Sequence, residues 1–140
     1  MSLLAGRLGR DVGRVVRKAA LAADQAAVTG TPVDTGRARA NWFASVGSPS
    51  SETREPIEQG EPGSDARGAV NAQAALDQSQ QPISRFVVGK GTLGSIFLTN
   101  NTEYIGELEA GKSMQAPEGM AQQAVEAAAQ VVRRARVIKR

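Results

Sequence analysis

Apolar residues recur at three- and four-residue steps at both ends of this chain, and the spacing changes in between. Near the start, Leu4, Leu8, Val12, Val15, Ala19, Ala22 and Ala26 share one helical face. They predict an amphipathic helix over about 3–28. Arg7, Arg10, Arg14, Arg17 and Lys18 lie mostly off that face. Gly6, Gly9 and Gly13 weaken its first turns, each by up to about 1 kcal/mol relative to alanine. Gly30 and Pro32 are its stop signals. Near the other end, Met120, Ala124, Ala127, Val131, Ala135 and Ile138 predict a second long helix over about 118–137. Pro117 suits its opening turn. Glu118 near the start and Arg133, Arg134, Arg136 and Lys139 near the end complement its dipole.

Between the helices the period drops to two. Ala40, Trp42, Ala44 and Val46 alternate with Asn41, Phe43 and Ser45, which predicts a strand over about 39–46 with Trp42 in the core. Two further strands are expected over 83–88 and 95–99, joined as a hairpin by residues 89–94, with Phe86, Val88, Ile96 and Leu98 facing inward. Residues 102–110 suit a short helix or turn carrying Tyr104, Ile105 and Leu108, broken by Gly111. The stretch 47–82 is rich in Ser, Pro, Gly, Glu and Gln. It reads as a long excursion off the domain, with Ser64 and Asp65 able to cap a short helix over about 66–78. The expected fold is therefore α+β. Long N- and C-terminal helices pack on a small, mainly antiparallel sheet, with a long extended loop between the first and second strands, all in one domain over 1–140.

Composition narrows the chemistry. The chain has neither cysteine nor histidine, which excludes disulfides, thiol nucleophiles, zinc–thiolate sites and imidazole bases. Aromatic residues are only 4%, so the core is thin and partner subunits are a natural source of added stability. No run of about 18 apolar residues suggests a membrane span. The start lacks the apolar stretch of a signal peptide, so a cytoplasmic product is expected. Charge is unevenly spread. Residues 1–40 carry seven basic and three acidic side chains, residues 41–130 five and eleven, and residues 131–140 five and none. Basic ends around an acidic middle suit head-to-tail contacts between copies, with ordinary solvated helix faces as the plainer reading.

Three strings invite a chemical reading. Val33-Asp34-Thr35-Gly36 matches the hydrophobic-Asp-Thr-Gly of aspartic proteases, in which a dimer would pair two aspartates. Here it follows a helix rather than a strand and precedes Arg37, so a turn in which Asp34 accepts from the Gly36 amide is preferred. Residues 89–94 match GxGxxG, but the strand pattern of Ser95-Ile96-Phe97-Leu98 follows where a dinucleotide site needs a helix. Glu52, Glu55, Glu58 and Glu61 are evenly spaced, yet Pro56, Gly60 and Pro62 argue against a rigid cation cage and favour a solvated charge run. The basic tail of Arg133, Arg134, Arg136, Lys139 and Arg140 could touch phosphates without reading sequence, though aromatic residues for base stacking are few.

Taken in order, the segments resemble a known family. A basic helix leads to Thr31-Pro32-Val33-Asp34-Thr35-Gly36-Arg37 and Ala40-Asn41-Trp42. Later come Leu98-Thr99-Asn100-Asn101-Thr102-Glu103-Tyr104-Ile105, Leu108-Glu109-Ala110-Gly111 and Gln115-Ala116-Pro117-Glu118-Gly119-Met120, before the terminal helix. This set is similar to the tailed-phage neck or tail-completion family. The resemblance implies a non-catalytic virion protein that forms a ring of six or twelve copies at the head–tail junction. It would join head-completion proteins to the tail terminator or tail tube and surround the DNA channel, with no cofactor and no membrane. A head-closure, tail-terminator or other capsid-associated protein is the alternative, and a dimeric protease using Asp34 the third. The fold-setting residues expected are Pro32, Asp34, Thr35, Gly36, Asn100, Tyr104, Glu109 and Gly111. Those expected to meet partners are Arg10, Arg14, Glu52, Glu55, Arg133, Arg134, Arg136 and Lys139.

Overall fold

The computed structural model describes residues 2–31, 36–88, 94–103, 105 and 119–135, with the backbone alone for 2–11. It is an α+β fold of helices around a two-stranded antiparallel sheet. The first helix, α1 (Ser2–Gly30), has 29 residues. Its buried face carries Ala19, Ala23, Asp24, Ala27 and Val28, one position round from the expected stripe, because Ala22 and Ala26 lie at the margin. Leu21 is exposed. The last helix, α4 (Met120–Ala135), packs antiparallel to α1. Ala27 faces Ala124 at one end of the seam, and Val15 and Val16 face Val132 at the other.

The strand expected to begin at Arg39 starts later. A four-residue helix, α2 (Arg37–Ala40), comes first, followed by β1 (Trp42–Val46). Gly36 begins α2 with φ 88°, a left-handed conformation natural to glycine. A Cβ there would collide with the Asn71 amide nitrogen. Asn41 closes α2 by donating to the Arg37 carbonyl at 2.7 Å. Trp42 and Ala44 are buried as the alternation predicts, but so is Phe43 on the opposite face, and Val46 is exposed.

The hairpin expected over 83–99 does not form. Residues 83–85 end a helix, and β2 (Ile96–Asn100) pairs instead with β1, Trp42 opposite Asn100 and Val46 opposite Ile96. The loop expected at 89–93 lies outside the described residues.

The largest correction falls on 47–82. In place of an excursion with a short helix stands α3 (Asp65–Arg85), 21 residues long and packed on the core. Ser64 caps it, its side chain accepting from the Arg67 amide. Pro82, the expected end of the excursion, sits inside its last turn, where buried Ile83 keeps the helix on the core. α3 is antiparallel to α1: Ser79 meets Asp24, and Phe86 just past its end meets Arg17. Trp42, Ala72, Ala75, Met120 and the α1 alanines form one apolar cluster, against which Leu98 and Ile105 pack.

Candidate functional site

The polar groups that organise this fold are side-chain amides. Residues 48–61 form a strap across the end of the molecule where α1 finishes and α3 begins, and several Asn side chains hold its backbone. Asn41 accepts from the Arg54 amide at 2.8 Å and donates to the Arg54 carbonyl at 2.8 Å. Asn71 does the same for Ile57, accepting at 2.8 Å and donating at 3.0 Å. Asn101 donates to the carbonyls of Ser50 and Glu52, and Thr99 accepts from the Ser50 amide. Asn41 and Asn71 each match a peptide group donor to acceptor, as a neighbouring strand would. Asn41 and Asn71 are fully buried, where an unmet polar atom costs about 1–3 kcal/mol.

The strap's charges divide cleanly. Arg54 donates inward to Gln78, and Arg67 donates to the Gly60 carbonyl. Glu52, Glu55, Glu58 and Glu61 are exposed. Glu55 lies 3.8 Å from Arg37 in an exposed pair.

Basic side chains share a level midway along α1. The antiparallel α1–α4 pair brings Arg133 and Arg134 to the level of Arg14 and Lys18, and the α3 terminus adds Arg85. The described side chains of 12–20, 80–88 and 128–135 include no carboxylate. Stretches far apart in sequence thus bring exposed basic side chains to one level. Val87 and Val132 are 69% and 57% exposed.

A buried carboxyl sits at mid-molecule, where α1, α3 and β1 meet. Ser79 donates to Asp24 at 3.3 Å and accepts from the Ala44 amide at 3.2 Å. Burial pushes the Asp24 carboxyl up to about 7, and the Ser79 hydrogen bond works in the opposite direction. Its neighbour Gln78 donates to the carbonyls of Ala40 and Trp42. Gln78 and Ser79 therefore cover the edge of β1 that faces away from β2. Nearby, Thr31 accepts from the Trp42 indole at 2.9 Å, and Arg39 donates to the carbonyls of Thr29 and Thr31 at the end of α1. Such a cation favours a helix C-terminus. Burial lowers the Arg39 guanidinium from its ordinary value.

Two shallow grooves run along the α1–α4 seam, of about 250 and about 290 Å³. Alanines, Val125, Val132, Leu98 and Trp42 line them, and no ionisable group does. Among the described residues no group of three or more Asp or Glu is placed to hold a metal ion. No described helix is long and apolar enough to cross a membrane.

Of the residues singled out in the sequence, Gly36 holds the left-handed turn against Asn71. Asn100 donates to the Ala38 carbonyl and accepts from the Thr102 amide and hydroxyl. Arg14, Glu52, Glu55, Arg133 and Arg134 are at the surface. Pro32, Asp34, Thr35, Tyr104, Glu109, Gly111, Arg136 and Lys139 lie outside the described residues, as does the side chain of Arg10. Sequence reasoning missed Asp24, Arg39, Asn71, Gln78 and Ser79. Asp24 did leave a trace, as a carboxylate one step from the predicted apolar stripe. No family model matches the chain, and no curated protein or solved structure matches it.

Proposed function

We propose that this protein is a structural protomer of the neck of a tailed phage or phage-like particle. It forms a ring at the head–tail junction, joins head-completion proteins to the tail terminator or tail tube, and surrounds the channel through which DNA leaves. It works through its outer surfaces and makes no covalent change in a substrate. The ordered strings from Thr31 to Met120 are the source of this reading. The observation that carries it is the division of charge. Arg14, Lys18, Arg85, Arg133 and Arg134 are exposed at the level where α1, the end of α3 and α4 run side by side, and Glu52, Glu55, Glu58 and Glu61 are exposed on the strap held by amides. Separate surfaces of unlike charge suit a subunit with different neighbours on its two sides.

The decisive experiment is a symmetry-resolved image of the neck of purified particles, in which this chain should account for one ring. Particles made without it should accumulate as filled heads and finished tails that do not join. Normal infectious particles from a deletion strain overturn the reading. Peptide cleavage lost in Asp34→Asn with the fold intact would point instead to the protease.

A further inference from the structure

We propose that the Asp24–Ser79 contact is a proton-controlled latch. With Asp24 protonated it closes α3 onto α1 and onto the edge of β1. With Asp24 ionised it favours release of the turns of α3 that carry Ser79. The latch depends on the fold alone and not on the neck reading.

One hydroxyl ties three elements together here. Ser79 donates to the Asp24 carboxyl on α1 and accepts from the Ala44 amide on β1. Both side chains are buried. An ionised carboxyl at this place exchanges water for a single neutral hydrogen bond, so it is driven to take up a proton or to reach solvent. Its pKa, pushed up to about 7 by burial, expresses that cost.

Among the described residues no cation answers Asp24. β1 carries no charged residue. On α1, Arg17 donates to the Phe86 carbonyl, and Arg14 and Lys18 are exposed. On α2, Arg39 is turned to the carbonyls of Thr29 and Thr31 and Arg37 lies beside Glu55. On α3, Arg67 donates to Gly60, Asp77 accepts from Gln73, and Asp65 and Arg85 are exposed. On α4, Glu126, Arg133 and Arg134 are exposed.

α3 is built to give way at this point. Pro82 has no N–H to offer the Gln78 carbonyl, so the helix lacks one backbone bond in the turn that carries Ser79. Ala72, Ala75 and Ser79 are small, and freeing them exposes little apolar area. Ile83, fully buried beyond Pro82, anchors the far side and confines the opening. Because Ser79 covers the Ala44 amide, opening hands that amide to solvent.

The test follows backbone amide exchange of the full-length protein at about pH 5 and about pH 7, corrected for the intrinsic rate, with and without denaturant too dilute to unfold it. Protection at Ala44 should fall by about tenfold per pH unit across this range. It should not respond to the dilute denaturant, because a local opening exposes little surface. In Asp24→Asn the fall should vanish, and in Ser79→Ala the Ala44 amide should be poorly protected at both pH values. A carbon NMR titration of the Asp24 carboxyl in wild type reads the latch without any variant. Its midpoint should coincide with the pH at which Ala44 protection levels off. Equal protection of Ala44 at both pH values overturns the latch, and so does a fall that persists in Asp24→Asn. A carboxyl that is ionised throughout overturns it as well. An Ala44 amide that exchanges only together with the α1–α4 seam, with the same denaturant response, makes the opening global and leaves no latch.

Discussion

The α1–α4 seam and the strap over α3 are held by different forces. In the seam, Ala23, Ala27 and Ala124 meet around Met120, and what stabilises it is apolar area and fit. In the strap, the backbone of Arg54 and Ile57 is matched donor to acceptor by Asn41 and Asn71. Area tolerates exchange between apolar side chains of similar volume, whereas a matched amide tolerates almost none. The seam therefore sets how stable the protein is, and the strap sets where one stretch of chain must lie.

That contrast can be broken most forcefully at Met120, which is fully buried. Met120→Ala should cost about 2–5 kcal/mol in a denaturant titration and lower stability everywhere at once. Next is Asp24. Its carboxyl is raised to about 7 from 3.8, so the folded protein keeps a proton that the unfolded chain gives up. This contribution is complete below about pH 4 and is lost as pH rises through 7, amounting to at most about 4 kcal/mol. Asp24→Asn should flatten the fall in melting temperature between pH 5 and pH 8; an unchanged slope would mean that another group is responsible.

Asn71→Ala should cost about 1–3 kcal/mol, and its effect should be local. Amide exchange should quicken at Ile57 and its neighbours while the seam keeps its protection. Uniform loss of protection would show that strap and seam are a single cooperative unit. Removing the cation at the end of α1 with Arg39→Ala should lower stability by about 1 kcal/mol, read from the same titration. Glu58→Gln, on the exposed strap, should change stability by less than about 0.5 kcal/mol.

The same contrast explains what the sequence disclosed. Both long helices were legible because apolar side chains repeat along them with the helical period. β1 was half legible, since its alternation extended backwards through Arg39 and Ala40 into what Gly36 and Asn41 make a turn of helix. α3 was not legible as a core element. Its buried face is Gly68, Asn71, Ala72, Ala75, Ser79 and Ile83, mostly small or polar residues that composition assigns to a loop. Their role depends on partners far along the chain, Asp24 and Ala44 for Ser79 and Ile57 for Asn71, and no local pattern encodes such pairings. The basic level along α1 was half visible too: its arginines and lysine can be counted from the sequence, but only the antiparallel packing of α1 and α4 brings Arg133 and Arg134 to the level of Arg14 and Lys18.

The cover that Gln78 and Ser79 place on β1 has a consequence for growth. A helix occupies the side on which another strand would add, so the sheet cannot lengthen there. Among the described residues no strand lies against the far side of β2. An incoming strand is thus barred from the β1 flank, which guards the sheet against stacking from that side.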